Sequence, residues 1–103
     1  MVCLDGCGPE YLQKCRASFI KRVGEEGCYI EGNSMIPSVT NVNAVSIITG
    51  KYPEEHGVTS NYYFDRETGE EVYMESPDLI KTSTILEQGS RAGLKTALLT
   101  SKD

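Results

Sequence analysis

The chain has 103 residues, which is long enough for one domain with a modest hydrophobic core. Its hydrophobic fraction of 39% and its 10 glycines are typical of a globular protein rather than a disordered one. The net charge of -5 argues against a nucleic-acid partner, because phosphate backbones recruit clustered lysine and arginine. No apolar run approaches the length of a membrane span, and the N-terminus lacks a signal-peptide pattern. We therefore expect a cytoplasmic protein with no membrane partner.

The four cysteines do not have the paired spacing of a structural zinc site. Without a secretory signal, we also expect no disulfide framework. Cys3 and Cys15 fall at positions where buried apolar residues belong, so simple packing is the favoured interpretation.

The first segment is predicted to be the tail of a buried strand, Met1 to Leu4, which ends at Asp5-Gly6. An aspartate just after a strand lies where open α/β sheets bind their ligands. On these residues alone, a turn or helix-capping role for Asp5 is the favoured alternative. Pro9 then opens a helix whose apolar residues recur at helical spacing and which ends near Gly24.

After a short predicted strand at Cys28 to Ile30, the chain reaches a loop followed by a buried helix, residues 36–50. Thr40 or Asn41 is predicted to cap this helix, and Gly50 to end it in a left-handed conformation. A helix start attracts anions because its N–H groups are unpaired. Thr40 is therefore a candidate nucleophile for phosphoryl or phosphonyl chemistry, with simple capping as the alternative.

The remaining elements are predicted from local signals. Residues 61–65 and 71–74 flank a turn with Gly69 and read as a β-hairpin. Thr84 and Glu87 fit a capping box, which begins a helix that closes near Gly93. Residues 95–100 are predicted to form a buried strand.

Strands and helices thus alternate along the chain. Such alternation predicts an α/β fold with a mainly parallel sheet, crossover helices on its faces and one small β-hairpin. We find no repeat and no linker composition, so residues 1–103 are interpreted as a single unit.

Several motifs together resemble the start of the alkaline phosphatase superfamily, in particular its branch of type I phosphodiesterases and nucleotide pyrophosphatases. The motifs are residues 2–6 (VCLDG), 37–43 (PSVTNVN), 50–53 (GKYP) and the pair His56-Gly57. Within that branch, residues 57–72 and 96–103 are similar to the phosphonoacetate hydrolases. The resemblance covers nearly the whole chain.

The resemblance implies a hydrolase with two Zn²⁺ ions that splits the carbon–phosphorus bond of a small-molecule phosphonate, giving acetate and phosphate. In such an enzyme Asp5 would be a metal ligand, and Thr40 would be both the nucleophile and a metal ligand. Asn61 would donate a hydrogen bond to a phosphonyl oxygen, and Lys102 would meet the substrate. His56 and its glycine belong to loop architecture in the family rather than to the ligand set.

Members of this family are several times longer, and their remaining metal ligands come from later segments. The resemblance therefore implies that residues 1–103 are the N-terminal portion of one incomplete catalytic domain, inactive alone. Two alternatives stay open: a phosphodiesterase or nucleotide pyrophosphatase, and a non-catalytic α/β module. The residues leave the oligomeric state open.

Overall fold

A computed structural model describes residues 1–100 of the chain. These residues fall into two compact units, one spanning Met1–Asn33 and the other beginning at Ser34, and each is described by itself. The first unit holds helices α1 (Pro9–Lys14) and α2 (Ser18–Glu26). The second holds helices α3 (Thr40–Thr49), α4 (Pro53–His56) and α5 (Ile85–Arg91), strands β1 (Tyr62–Phe64) and β2 (Glu71–Tyr73), and a 3-10 turn (Pro77–Leu79). None of the helices in residues 1–100 is long and apolar enough to cross a membrane.

The helix predicted to open at Pro9 is present, but it is interrupted. Cys15 has an extended backbone (ψ 160°) and gives its N–H to the carbonyl of Tyr11, which closes α1. The chain re-enters a helix at Ser18, and that helix ends at Gly27 rather than at Gly24. The prediction of buried cysteines is also wrong, because all four thiols are free and exposed. With α1 and α2 broken apart, Cys15 no longer lies on a continuous apolar stripe.

Helix α3 is the packing centre of the second unit. Val42 and Val45 are buried in its core together with Val58, and four partly buried apolar residues pack against them: Met35, Val39, Met74 and Ile80. Gly50 ends the helix with φ 65°, as the sequence predicts. The prediction that Thr40 or Asn41 caps the helix is wrong, because Val39 occupies the cap position without a side-chain bond and Thr40 is the first helical residue.

The loop after α3 folds into one short helix, α4, whose last residue is the fully buried His56. Gly57 follows with φ 82°, a conformation that only glycine adopts without strain. A Cβ atom at this position would also meet the side chain of Lys81 at 2.9 Å. The backbone N–H of Lys81 donates to the carbonyl of His56, which closes this corner.

The β-hairpin is confirmed. Strands β1 and β2 pair antiparallel, with Tyr62 opposite Tyr73, and Gly69 has the positive φ of 73° that its turn requires. The rings of Tyr62 and Tyr73 meet edge to face, with centroids 5.0 Å apart. The pair therefore supports the register of this short ribbon.

The capping box before α5 is also confirmed. The Thr84 hydroxyl accepts the N–H of Glu87 at 3.3 Å, and the Glu87 carboxylate accepts the N–H of Thr84 at 2.7 Å. The helix ends at Arg91, and Gly93 follows with φ 79°.

Three predicted strands are absent from the described residues: Met1 to Leu4, Cys28 to Ile30, and Lys95 to Thr100. Within residues 1–100 the sheet has two strands, β1 and β2, and the parallel sheet is not formed. A strand needs a neighbouring strand for its backbone N–H and C=O groups, and within residues 1–100 the strand pairing observed is that of β1 with β2. Their apolar side chains remain in solvent, with Val2 85% and Leu99 95% exposed.

Candidate active site

The site is built around the N-terminus of α3, where Thr40 is the first helical residue. Residues 36–39 lead into it through Pro37, and Val39 packs against the core. The unpaired N–H groups and the positive end of the helix dipole make this position favourable for an anionic group. Thr40 therefore belongs to a helix that is anchored in the hydrophobic core by Val42 and Val45.

Asn61 lies at the same helix end as Thr40. Its side-chain oxygen accepts the backbone N–H of Asn41 at 3.0 Å, so it satisfies one of the unpaired groups of α3. This bond fixes the orientation of the amide, with the oxygen facing the helix and the NH₂ group directed elsewhere as the donor. The structure thus brings together two of the residues expected in the site, Thr40 and Asn61.

Two further asparagines hold the first turn of α3. The side chain of Asn41 donates to the carbonyl of Met74, just after β2, at 3.1 Å. The side chain of Asn43 accepts the N–H of Met35 at 2.8 Å and donates to the carbonyl of Val39 at 3.0 Å. The sequence indicates Asn41 only as a possible cap of α3 and predicts no role for Asn43. The available signal was a pair of amide side chains near the start of the predicted helix, where asparagine is unfavourable unless its side chain has backbone partners.

His56 is fully buried and both of its ring nitrogens are hydrogen-bonded. Its Nδ1 accepts the N–H of Val58 at 3.1 Å, so the ring proton is on Nε2, which donates to the hydroxyl of Ser46 at 2.9 Å. That hydroxyl donates to the carbonyl of Val42. Burial lowers the pKa of His56 below its usual 6.5, with Glu55 opposing the shift. His56 therefore joins α4 to α3 as a neutral ring, in agreement with its expected place in loop architecture.

Asp5 belongs to the first unit. It lies in a turn in which Gly6 has φ 69° and the N–H of Cys7 donates to the carbonyl of Leu4. Lys102 lies outside the described residues. The expected site residues that the structure brings into one place are therefore Thr40 and Asn61.

The described residues do not form a complete zinc site. Within residues 1–100 there is no group of three or more His, Cys, Asp or Glu side chains that could hold a metal ion. A zinc ion in a protein usually has four ligands. Asp5 and Thr40 are each oxygen donors of a suitable kind, but two donors are fewer than the four ligands that a single zinc ion usually has. Two other acids have local roles: Asp65 accepts the N–H of Glu67, and Asp78 bonds to Ser76.

The family model of the type I phosphodiesterases and nucleotide pyrophosphatases matches residues 1–101. The chain is 31% identical over 90 residues to an uncharacterized pyrophosphatase/phosphodiesterase of Schizosaccharomyces pombe, covering 86% of this chain and 19% of that protein. It is 36% identical over 64 residues to an ectonucleotide pyrophosphatase/phosphodiesterase of Caenorhabditis elegans, covering 59% of this chain and 8% of the relative.

Solved structures of phosphonoacetate hydrolase from Sinorhizobium meliloti 1021 are also similar. The complex with phosphonoformate matches at 41% identity and a TM-score of 0.76, and the match covers 88% of this chain and 23% of that one. The complex with phosphonoacetate matches at 40% identity with the same TM-score. The fold is thus an α/β fold similar to that enzyme, and the matches span between 8% and 23% of the length of these relatives. The chain belongs to the type I phosphodiesterase/nucleotide pyrophosphatase family, a branch of the alkaline phosphatase superfamily.

Proposed function

We propose that the protein containing this chain hydrolyses the carbon–phosphorus bond of phosphonoacetate, giving acetate and phosphate, with Thr40 as the nucleophile. The observation that carries the proposal is the placement of Thr40 and Asn61 at one helix N-terminus, through the 3.0 Å bond from Asn41 to Asn61. The similarity to phosphonoacetate hydrolase, which was solved with phosphonoacetate bound, supports the choice of substrate.

The proposed chemistry follows from the groups at this helix end. The Thr40 hydroxyl releases its proton to solvent and its oxygen attacks phosphorus, so that a P–O bond forms and the P–C bond breaks with its electron pair left on carbon. The NH₂ group of Asn61 and the α3 terminus stabilise negative charge on the phosphonyl oxygens. Lys102 holds the substrate carboxylate and eases the charge on the departing carbon, which takes up a proton to give acetate. Water then hydrolyses the phosphothreonine.

A zinc pair is part of the proposal, with Asp5 and Thr40 as the ligands that this chain contributes. A threonine hydroxyl is too weak an acid to ionise near neutral pH, and a divalent cation supplies the charge that lowers the pKa of an oxygen acid. The remaining ligands would come from other segments of the complete protein. We also propose that the mainly parallel sheet forms only when those other segments are present. Residues 1–4 and 95–100 would then gain strand partners in the complete enzyme.

A phosphodiesterase or nucleotide pyrophosphatase is the second candidate, because the matching family is named for those activities. Three consecutive aromatic residues follow Asn61 and are exposed: Tyr62, Tyr63 and Phe64, with Phe64 65% exposed. Aromatic rings of this kind offer a stacking surface for a nucleobase. A non-catalytic module is the remaining alternative.

Turnover by the full-length protein separates these functions. We expect it to release phosphate from phosphonoacetate with a kcat/KM well above that for a nitrophenyl ester of a nucleotide. Lys102→Ala should then raise KM for phosphonoacetate and leave the ester reaction unchanged, because the ester has no carboxylate for this lysine. Faster turnover of the ester would support the second candidate. Absence of turnover of both compounds in the presence of Zn²⁺ would reject both enzymes.

A further inference from the structure

We infer that Asn43 is a positioning residue for Thr40, because its side-chain amide ties the entry loop to the first turn of α3. This inference rests on the proposed role of Thr40 as the nucleophile. It adds a residue that does not touch the substrate but sets the direction in which the attacking oxygen points.

The geometry is that of a bridge between two backbone segments. On one side, the Oδ1 atom of Asn43 accepts the N–H of Met35 at 2.8 Å. On the other side, its Nδ2 atom donates to the carbonyl of Val39 at 3.0 Å. The backbone N–H of Asn43 donates to the same carbonyl at 3.2 Å. One residue therefore fixes both ends of the entry loop, Met35 and Val39.

The carbonyl of Val39 belongs to the peptide group that joins Val39 to Thr40. Two donors from Asn43 hold its oxygen, so this peptide plane cannot rotate without losing both bonds. The orientation of the plane sets the backbone of Thr40 and hence the position of its hydroxyl. The bridge thus acts on Thr40 through one intervening peptide group.

Other contacts also hold the start of α3, since Asn61 accepts the N–H of Asn41 and Val39 packs against the core. In the entry loop, the hydroxyls of Ser34 and Ser38 bond to each other at 2.9 Å in an exposed position. Because exposed hydrogen bonds compete with water, the half-buried Asn43 bridge is the stronger restraint. Without it we expect the Thr40 hydroxyl to move by about 1 Å, a displacement that can cost about 100-fold in rate.

Two substitutions separate the two halves of the bridge. Asn43→Asp keeps an acceptor for Met35 but places a carboxylate oxygen against the Val39 carbonyl, where two acceptors repel. Asn43→Ser keeps a donor to Val39, because Ser46 in the same helix already bonds to the carbonyl four residues earlier at 2.8 Å. It loses the bond to Met35. We expect kcat of the full-length protein to fall about 100-fold for Asn43→Asp and about tenfold for Asn43→Ser.

The fraction of protein molecules that still bind a substrate analogue distinguishes a positioning role from partial unfolding, because partial unfolding would lower that fraction. Calorimetric titration with phosphonoformate should give wild-type stoichiometry and Kd for both variants, with KM unchanged, while kcat falls. The matched control is Asn33→Asp, the same chemical change at an exposed position, and it should keep wild-type kcat.

A kcat within twofold of wild type, a loss that falls on KM, or a loss matched by an equal fall in stoichiometry would overturn the inference. If Asn43→Asp does not fold, Asn43→Ser decides by the same criteria. Failure of the proposed function is a different result: the wild type does not turn over phosphonoacetate, or Thr40→Ala remains active.

Discussion

At the scale of single residues, His56 makes the stability of the protein depend on pH. Its ring is neutral and buried between Val58 and Ser46, and burial lowers its pKa from the usual 6.5. Between that lowered value and 6.5 the unfolded chain binds more protons than the folded one, so stability rises with pH. The contribution of His56 is therefore complete above about pH 6.5 and is lost as the pH falls through this window.

We predict that the melting temperature of the full-length wild-type protein falls between pH 7.5 and 5.5. His56→Gln, which does not titrate, should lower stability at pH 7.5 and show a smaller pH dependence across the same range. The acids with lowered pKa values, Glu55 and Asp65, lose their contribution only below their ordinary values of 4.5 and 3.8. Equal slopes for the two proteins would show that His56 is not buried as a neutral ring.

Gly50 offers a second test at this scale. Its φ of 65° ends α3, and no atom lies near the position of an added Cβ, so Gly50→Ala introduces backbone strain alone. We predict a loss of about 1 kcal/mol in the free energy of unfolding, because a left-handed conformation costs an L-residue about 1–2 kcal/mol. Gly32→Ala has equal space and no positive φ, and denaturant titration should find it close to wild type.

At the scale of elements, the contribution of the α5 capping box to the free energy of unfolding should be measurable. Thr84→Ala removes the acceptor for the N–H of Glu87, and we predict a loss of about 1 kcal/mol in the free energy of unfolding. Thr59→Ala, at an exposed position outside any helix, is the control. Chemical denaturation of the full-length protein measures both, and an equal stability of the two variants would contradict the assigned cap.

The elements that the sequence predicts correctly are those with local determinants. The capping box at Thr84, the left-handed Gly50 and the turn at Gly69 each depend on a few neighbouring residues. The strands predicted at residues 1–4 and 95–100, which are absent from the structure, would need partner strands distant in sequence, and no local pattern supplies those. The interruption at Cys15 was missed because the apolar spacing continues through it.

In the candidate site, too, some features were expected before the structure was known and others were missed. Thr40 and Asn61 were expected from the resemblance, and the structure places both at the start of α3. The cap was assigned to the wrong residue because Thr40 and Asn41 both have suitable side chains, while the bond at this helix end comes from Asn61, 20 residues later. The bridge made by Asn43 depends on where the backbone of Met35 lies, which the sequence does not specify.

At the scale of the whole molecule, the chain contains the helix that begins at Thr40, and residues 1–100 contain no group of three or more side chains that could hold a metal ion. Its match spans 23% of the phosphonoacetate hydrolase chain. We therefore predict that an isolated chain of residues 1–103 does not bind two zinc ions tightly, because it lacks a group of three ligands within residues 1–100. Calorimetric titration with Zn²⁺ tests this, and two tight sites would contradict it.

Thr40 is the proposed attacking group. The most direct measurement is the steady-state rate of the full-length protein with phosphonoacetate, compared with Thr40→Ala, Thr40→Ser and the control Thr68→Ala. We predict a kcat at least roughly 10³-fold lower for Thr40→Ala, because no hydroxyl remains to attack phosphorus. Thr40→Ser should retain measurable turnover, and Thr68→Ala should match wild type. A Thr40→Ala variant that works within tenfold of the wild-type rate would contradict the account.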